Sequence, residues 1–366
     1  MAGLSIDVLA IVAAGGAWAG SPADRERFDV RLFARVPPPG SPEGIAVDSH
    51  GVVYVGTSPK EGGPTGARRR SRIFAYSRGG ELERRYLVTG QDLDEPFYGL
   101  LGMAFDGRDR LYAADHSPPR VIRLNPRTRR QRDYAVLRDV PPCDASGRTR
   151  NCSDTQLDMP ALPDYPAFAR DGTMYVTDLN QALIWKVPPG GGRPKVWFTE
   201  QGFESVFGPN GIGFPAGRHK LLFVLSTESS PAAQPRRPSG LYELRVRRNG
   251  SPGNPRLFWE AQPDEVPDGF AIGRSGRVYV ALAGTGGNAV AVISPRGRQI
   301  ARVPPSEFEN QQMEVPFDQP ASAAFLGRRV LVTNHALFSR NPDHYAVLDV
   351  FAGERGLRLF RPTLPR

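Results

Sequence analysis

Polar residues recur at equivalent points of a repeated sequence pattern, where their side chains could together bind a cation. In each copy an apolar segment is followed by a turn and by a second apolar segment. The residues that open the first segments share one phase of the repeat, so their side chains are expected to converge on one point. Across six copies these opening residues are Glu43, Leu101, Asp164, Asn210, Asp268 and Ala321.

The three carboxylates and one amide of this set favour a hard cation. Three carboxylates brought together without compensation would repel one another, and their protonation would be distorted. Oxygen ligands without a thiol favour Ca²⁺ over Mg²⁺ or Mn²⁺, and Zn²⁺ is less expected. Each Pro-Asp, Pro-Asn-Gly or Pro-Glu-Gly step taken singly is an ordinary turn former. The prediction of a cation site therefore depends on the shared phase.

The repeat predicts a six-bladed β-propeller. Its copies follow one another about every 50 to 60 residues, a period typical of propellers among repeat folds. Each copy is followed by two more strand-like segments, as four-stranded antiparallel blades require. With 40 Gly and 36 Pro the chain has little room for long helices, so we expect an all-β fold. We predict a single propeller domain over residues 28–366, with the opening residues at the mouth of the central channel.

Segments from both ends of the chain are predicted to close the ring. Residues 357–362 (LRLFRP) are predicted as the fourth strand of the last blade. One strand-like segment, residues 30–35 (VRLFAR), is left over and is predicted to join that blade beside residues 357–362. Such closure would protect edges that would otherwise be exposed.

Two histidines are candidate acid/base groups at the same mouth. The first and second strands of a blade are antiparallel, so the end of the second strand returns to the face where the first began. His116 and His335 are therefore predicted catalytic groups, with a hydrogen-bonded structural role as the alternative. The residues that this geometry brings to the mouth are Asp115 with His116, Thr177 with Asp178, and Asn334 with His335.

The basic composition does not indicate a nucleic-acid partner. The net charge is +9, and nearly all basic residues are arginines, with clusters at 68–70 and 127–130 that stand beside Gly, Pro and Ser in predicted loops. Such clusters are typical of a solvated surface, and no nucleic-acid-binding motif accompanies them. The sequence also lacks the G-x-S-x-G, P-loop, H-E-x-x-H and Rossmann motifs, which disfavours serine hydrolases and nucleotide enzymes.

The N-terminus and the cysteines predict a secreted or periplasmic protein. Residues 1–19 are predicted to be a signal peptide with an apolar run at 8–19, although Asp7 borders the run and no Lys or Arg precedes it. The run is too short to span a membrane. Cys143 and Cys152 are the only cysteines and could close a small loop as a disulfide, with two free thiols as the alternative.

Three motifs resemble the SMP-30/gluconolactonase family of six-bladed propellers, which is related to the paraoxonases and the strictosidine-synthase-like proteins. The motifs are PEG at 42–44, PNGI at 209–212 and PDGF at 267–270, and the resemblance extends from about residue 28 onward. It implies a divalent cation bound by Glu43, Asn210 and Asp268. It also implies that Asp164, in the third blade, contacts substrate or completes the metal environment.

The family reaction is hydrolysis of lactones and related esters, so the resemblance implies a metal-dependent hydrolase in which Asp268 acts as the base. Sugar-lactone members usually have Asn in the third blade, an Asp after it and an Arg two residues before it. This chain instead reads LPDY at 162–165, which weakens polyol recognition. Tyr98, Tyr165 and Phe207 at the rim would suit a hydrophobic lactone or ester.

Two other functions stay open from the sequence. The first is a propeller that binds a small molecule or protein without chemistry. The second is a condensing enzyme of the strictosidine-synthase type, which would need a catalytic Glu that the sequence does not locate. The sequence does not predict the oligomeric state.

Overall fold

Twenty-four β-strands in six antiparallel sheets form nearly all the regular structure of the described residues. A computed structural model describes residues 25–59, 68–95, 99–144, 151–215, 219–227 and 237–364. Within these ranges there is one short α-helix, α1 (Glu307–Gln311), and there are two 3-10 turns, Gln201–Phe203 and Pro342–His344. The predicted all-β fold is therefore confirmed.

Five of the six blades are formed by four strands that are consecutive in the chain, ordered from the channel outward. Blade 1 contains β2 (Pro42–Val47), β3 (Val53–Thr57), β4 (Arg72–Tyr76) and β5 (Leu82–Leu87). Blade 2 contains β6 (Leu100–Phe105), β7 (Leu111–Asp115), β8 (Arg120–Leu124) and β9 (Gln131–Val136). Blade 3 contains β10 (Pro163–Phe168), β11 (Met174–Asp178), β12 (Leu183–Val187) and β13 (Lys195–Thr199). Blade 4 contains β14 (Pro209–Gly213), β15 (Lys220–Leu225), β16 (Gly240–Val246) and β17 (Pro252–Glu260). Blade 5 contains β18 (Pro267–Ile272), β19 (Val278–Leu282), β20 (Ala289–Ile293) and β21 (Gln299–Val303).

The sixth blade joins the two ends of the chain and closes the ring. From the channel outward it contains β22 (Pro320–Leu326), β23 (Arg329–Asn334), β24 (Ala346–Phe351) and β1 (Val30–Arg35). Each inner strand also contacts the inner strands of both neighbouring blades, and β22 contacts β2. The six-bladed propeller closed by terminal strands is thus confirmed.

The prediction that residues 357–362 form the fourth strand of this blade is wrong. β24 has one free edge, and β1 pairs along all of it from Val30↔Val350 to Arg35↔Ala346. A second strand-like segment has no ladder left to join in this sheet. The chain after Phe351 therefore leaves this blade, and Gly356 forms an isolated antiparallel bridge with Gly273 beside blade 5.

Residues 356–364, which we call the C-terminal strap, instead cross the face of the ring opposite the predicted mouth. The contacts of the strap fall in or beside turns that join first and second strands, so it covers that end of the channel. These contacts are Leu357 N–H to Ile272 O at 2.8 Å, Phe360 to Phe214 with ring centroids 6.2 Å apart, Arg361 to Val47 O, and Gly107 N–H to Pro362 O at 3.0 Å.

The hydrophobic core lies between the blades rather than within them. Six clusters of buried side chains each draw their members mainly from two adjacent blades, one cluster for each of the six interfaces. The tyrosine that recurs in the second strands packs edge-on against a phenylalanine of the next blade, an arrangement that aromatic pairs favour. Ring centroids are 5.1 Å apart for Tyr54–Phe105, 5.0 Å for Tyr112–Phe168, 5.6 Å for Tyr175–Phe214 and 5.4 Å for Tyr279–Phe325.

The strap offers a matched pair of leucine substitutions. Leu364 is 2% exposed in the cluster between blades 2 and 3, whereas Leu359 is 53% exposed. Leu364→Ala is expected to lower the free energy of unfolding by about 2–3 kcal/mol, because it removes buried methyl groups and leaves a cavity. Leu359→Ala is expected to change it by less than about 0.5 kcal/mol. Urea denaturation followed by tryptophan fluorescence measures both, and equal effects would contradict the structural role of the strap.

Candidate functional site

The six inner strands share a register irregularity that fixes which side chains enter the channel mouth. In every one the pairing with the second strand shifts between the first and the fourth residue. The second residue lies inside each irregularity and has no direct partner in the ladder, as expected of a β-bulge. The shared phase predicted from the repeat is thus present in the backbone. The second residues are Glu43, Leu101, Asp164, Asn210, Asp268 and Ala321.

The polar members of this set are withdrawn from solvent and interact with one another. Glu43, Asp164 and Asn210 are 2%, 1% and 4% exposed, and Asp268 is half-buried. The Asn210 side chain hydrogen-bonds the Asp268 carboxylate, and both Glu43 and Asp268 act electrostatically on Asp164. The structure therefore brings together residues of blades 1, 3, 4 and 5.

Burial and mutual repulsion disfavour the ionised form of the carboxylates in this cluster. Burial raises the pKa of Asp164 well above its usual range, and the neighbouring Asp268, Glu43 and Asp178 raise it further. Burial likewise raises the pKa of Asp268, with Glu43 adding to the effect, while bonds from Tyr165, Gly269 and Asn210 oppose it. Carboxylates in this position are destabilised when ionised unless a positive charge joins them.

Several buried polar atoms of the site have no hydrogen-bond partner. They include an acid oxygen, an amide oxygen and two imidazole nitrogens, whereas buried polar atoms in folded proteins are nearly always hydrogen-bonded. Atoms left without partners in one place indicate a position for a ligand, an ion or water. The unpartnered atoms are Asp164 Oδ2, Asn210 Oδ1, His116 Nε2 and His335 Nε2.

His335 is paired with the carboxylate of the first blade. Its Nδ1 lies 2.7 Å from Glu43 Oε2, which orients the ring, and its Nε2 is one of the unpartnered atoms. The hydroxyl of Thr333 donates to Glu43 O at 2.6 Å, so the backbone of the acid is held as well. The pair is a carboxylate-oriented imidazole with a free second nitrogen, an arrangement suited to proton transfer.

His116 is the second histidine at the mouth. Its backbone N–H donates to Gly99 O at 3.1 Å, at the end of β7. Burial lowers its pKa to about 3, and His335 contributes to the same shift. The His116 imidazole is therefore neutral at physiological pH and can accept a proton only in a transient step.

Tyr165 crosses the channel directly beneath the polar cluster. Its hydroxyl contacts Ser322 Oγ and lies 3.4 Å from Asp268 Oδ1 and from Ala321 O. Gly102 and Gly269 leave the space for it, because a Cβ at either glycine would come within 2.4 Å of the tyrosine. The side chain is 9% exposed, so Tyr165 forms a floor under the site. The predicted contact of Tyr165 with substrate stays a prediction.

The remaining second-strand residues at this face are structural. Asp115 accepts hydrogen bonds from Gln91 Nε2 at 2.8 Å and Arg120 Nη2 at 2.9 Å. Asp178 accepts from Trp185 Nε1 at 2.9 Å and from the Leu162 N–H at 3.0 Å. These hydrogen bonds connect the ends of β7 and β11 to neighbouring loops and strands at the mouth face of blades 2 and 3.

Other site residues predicted or missed by the sequence have mixed outcomes. Tyr98 lies outside the described residues, and Phe207 is half-buried in the loop before blade 4. Ser322 contacts Tyr165 but follows Ala321, where the repeat shows no polarity, so the sequence offered no signal for it. Thr333 contacts Glu43 O and stands at the position equivalent to Thr177, so the repeat could have identified it.

The predicted cation ligands have suitable atoms, but their side chains are not all turned toward one point. Within the described ranges, no three His, Cys, Asp or Glu side chains are arranged to hold a metal ion. The carboxylates of Glu43, Asp164 and Asp268 therefore do not form such a group as they lie. The ligand set implied by the resemblance includes only two of them, because its third member is the Asn210 amide. The Glu43 and Asp268 carboxylates are turned toward His335 and Tyr165. The chemistry of the set nevertheless suits a hard cation, since its donors are oxygens and Asn210 Oδ1 is buried without a partner.

Two further expectations concern the surroundings of the propeller. Cys143 and Cys152 form a disulfide within the segment that joins blades 2 and 3. The predicted signal peptide, residues 1–19, lies outside the described residues. Among the residues that are described, none belongs to a helix long and apolar enough to cross a membrane.

Comparison with known proteins agrees with this architecture. The family model described as SMP-30/Gluconolactonase/LRE-like region matches residues 203–334, which include Asn210 and Asp268. No curated protein matches the chain by sequence. The resemblance to the SMP-30/gluconolactonase family is thus confirmed.

Solved structures share the fold at low sequence identity. A calcium-binding protein, regucalcin, from Agrobacterium tumefaciens has 17% identity and a TM-score of 0.61, covering 93% of this chain and 98% of its own. A gluconolactonase from Xanthomonas campestris has 16% identity and a TM-score of 0.55, covering 87% of each chain. A virginiamycin B lyase from Staphylococcus aureus has 11% identity and a TM-score of 0.51, covering 88% of this chain and 99% of its own.

The floor of the site can be tested by substitution. Tyr165→Phe keeps the ring but removes the hydroxyl from Ser322 and Asp268, and it is expected to lower the free energy of unfolding by about 1 kcal/mol. Gly102→Ala would place a methyl group 2.4 Å from the ring and is expected to cost about 1–3 kcal/mol through overpacking.

Thermal and urea unfolding measure both effects. Gly79→Ala is the matched control, because the nearest atom to a Cβ there is 3.6 Å away. If Gly102→Ala is as stable as this control, the placement of Tyr165 is wrong.

Proposed function

We propose that this propeller, which is similar to the SMP-30/gluconolactonase family, is a divalent-cation-dependent hydrolase of a lactone or related ester. The cation would be held by Glu43, Asn210 and Asp268, with Ca²⁺ expected ahead of Mg²⁺, Mn²⁺ or Zn²⁺. Asp268, His335 and His116 would carry the proton transfers, and Asp164 would contact the substrate.

The observation that carries the proposal is the convergence of buried oxygen donors at one point of the channel. Asp164, Asn210 and Glu43 are each at most 4% exposed, and each occupies the same bulge position of its own blade. Burying several carboxylates without a counter-charge costs free energy that a purely structural channel could avoid with apolar residues. Leu101 and Ala321 occupy the same position in blades 2 and 6, so the fold itself does not require polarity there.

The proposed chemistry follows from the contacts of the side chains. A divalent cation, when bound, supplies Lewis-acid polarisation of a carbonyl oxygen. Asp268 would accept a proton from the attacking water while the Tyr165 hydroxyl and the Asn210 side chain orient it. His335, oriented by Glu43, has a free Nε2 for a proton to or from the leaving oxygen.

Similar proteins support the proposal that this chain binds a cation. The regucalcin that shares the fold is described as a calcium-binding protein, and the structure from Xanthomonas campestris as a gluconolactonase. The match of the family model includes two of the three proposed ligands. Identities of 16–17% do not carry a substrate to this chain.

We also propose that the protein acts outside the reducing cytosol, in a secreted or periplasmic location. The Cys143–Cys152 disulfide supports this, since disulfides persist mainly in oxidising compartments. The apolar N-terminal run at residues 8–19 supports it independently.

Loss of the cation or of Asp268 is expected to abolish hydrolysis. Asp268→Asn keeps the size of the side chain but removes a charged ligand and base, so kcat/KM for a reactive lactone should fall at least about 100-fold. Treatment of the wild-type protein with a chelator should have a comparable effect, and restored Ca²⁺ should reverse it.

A pH-indicator assay with a panel of lactones measures this, with the exposed Asp343→Asn as the matched control. Unchanged turnover in Asp268→Asn would overturn the proposal. Tight cation binding without turnover of any lactone or ester would favour the alternative of a binding propeller without chemistry.

His335→Gln separates a catalytic role from a structural one. Loss of the imidazole should lower kcat by about 100-fold or more if His335 transfers a proton. Cation content should change little, because Glu43 and Asn210 remain. A variant with normal kcat and weakened cation affinity would instead show that His335 only orients Glu43, and the exposed His50→Gln serves as the control.

A further inference from the structure

The half of the channel mouth formed by blades 3 and 4 is framed by two loops that are fixed to each other. One loop leads from the disulfide to Asp164, and the other leads from β13 to Asn210. The Glu204 carboxylate is 3% exposed and accepts the backbone N–H groups of Gln156 and Leu157, each at 2.8 Å. Both oxygens of a buried acid are thus used to join one loop to the other.

Further bonds hold the first loop against blade 3. The Asp154 N–H donates to Thr199 Oγ1 at 2.9 Å, and the Ser153 hydroxyl donates to Gln181 O at 2.9 Å. The Cys143–Cys152 disulfide closes the segment just upstream. These bonds therefore fix the conformation of the loop.

The two loops joined by these bonds expose three apolar side chains to solvent. Leu157, Met159 and Val206 are 49%, 41% and 52% exposed, and we call these three residues the rim patch. The Leu157 N–H donates to Glu204, and Val206 lies two residues after Glu204, so the bonds between the loops bring the two parts of the patch near each other. Single exposed apolar residues are normal on protein surfaces, but a group held by buried polar bonds beside a site indicates a binding surface.

The charge of the two loops adds a second constraint. Residues 151–169 and 196–217 contain no Lys or Arg, in a chain that has 47 of them. Arg237 reaches the second loop, but it is neutralised there by Glu200 at 2.6 Å. Acidic groups in two loops that lack Lys and Arg of their own disfavour phosphorylated or carboxylated ligands beside them.

We infer that the rim patch binds the apolar substituent of an uncharged substrate, so that the site takes neutral lactones or esters with an alkyl or aryl chain. This inference rests on the proposed function, because the ester group would lie at Asp164, Asn210 and Asp268. The chain of the substrate would extend from there over Leu157, Met159 and Val206.

The experiment compares lactones that differ only in their chains. The probes are γ-butyrolactone, γ-decanolactone, glucono-δ-lactone and its 6-phosphate. We expect kcat/KM to rise by up to about fourfold for each methylene that the patch buries, and the phosphorylated lactone to be the poorest substrate. In the triple variant Leu157→Ser, Met159→Ser, Val206→Ser the advantage of the long chain should be lost, while γ-butyrolactone is hydrolysed as before.

Controls separate this inference from the proposed function. Ile300→Ser removes an apolar residue that is 50% exposed on blade 5 and should leave the chain-length dependence intact. Equal rates for short and long chains, or a preference for the phosphorylated lactone, would overturn the inference while leaving a hydrolase. If no probe is hydrolysed, the proposed function fails. Calorimetric binding of the corresponding alkyl lactam then tests the patch alone, and equal affinity of wild type and triple variant would overturn it.

Discussion

The bulge at the start of each inner strand is the constraint on which the rest of this structure depends. It frees the second residue of six strands from the antiparallel ladder and aims it at the mouth of one channel. Because the blades are related by rotation about that channel, one local irregularity repeated six times becomes a ring of side chains. Four blades use the position for Glu43, Asp164, Asn210 and Asp268, and two fill it with Leu101 and Ala321.

Packing elsewhere in the fold offsets the destabilisation caused by these buried carboxylates. Burial and mutual repulsion raise the pKa values of Asp164 and Asp268, so the cluster opposes folding when it is ionised. Six apolar interfaces between blades, and the edge-on tyrosine–phenylalanine pairs that span four of them, supply the opposing stabilisation. The C-terminal strap covers the far end of the channel, and Tyr165 lies across it beneath the cluster. The strap and Tyr165 thus lie on the side of the cluster away from the mouth.

The sequence predicted the blades and the phase of the site because both are repeated. Six copies allow the chain to be aligned with itself, so the opening residues and the returning His116 and His335 could be located without a second sequence. Contacts made once in the molecule leave no such trace. Residues 30–35 and 357–362 read alike as edge strands, and only the single free edge of β24 decides between them. Likewise, the pairing of Tyr165 with Ser322, and the use of Glu204 to join two loops, depend on residues more than 40 positions apart.

Direct metal analysis tests whether the bulge residues form a cation site. The full chain would be equilibrated with Ca²⁺, freed of unbound ion and measured by plasma mass spectrometry, beside Asn210→Ala. This variant removes a proposed ligand and leaves all carboxylates in place. We expect about one divalent ion per chain in the wild type and much less in the variant. No retained ion in the wild type, or equal content in both proteins, would contradict it.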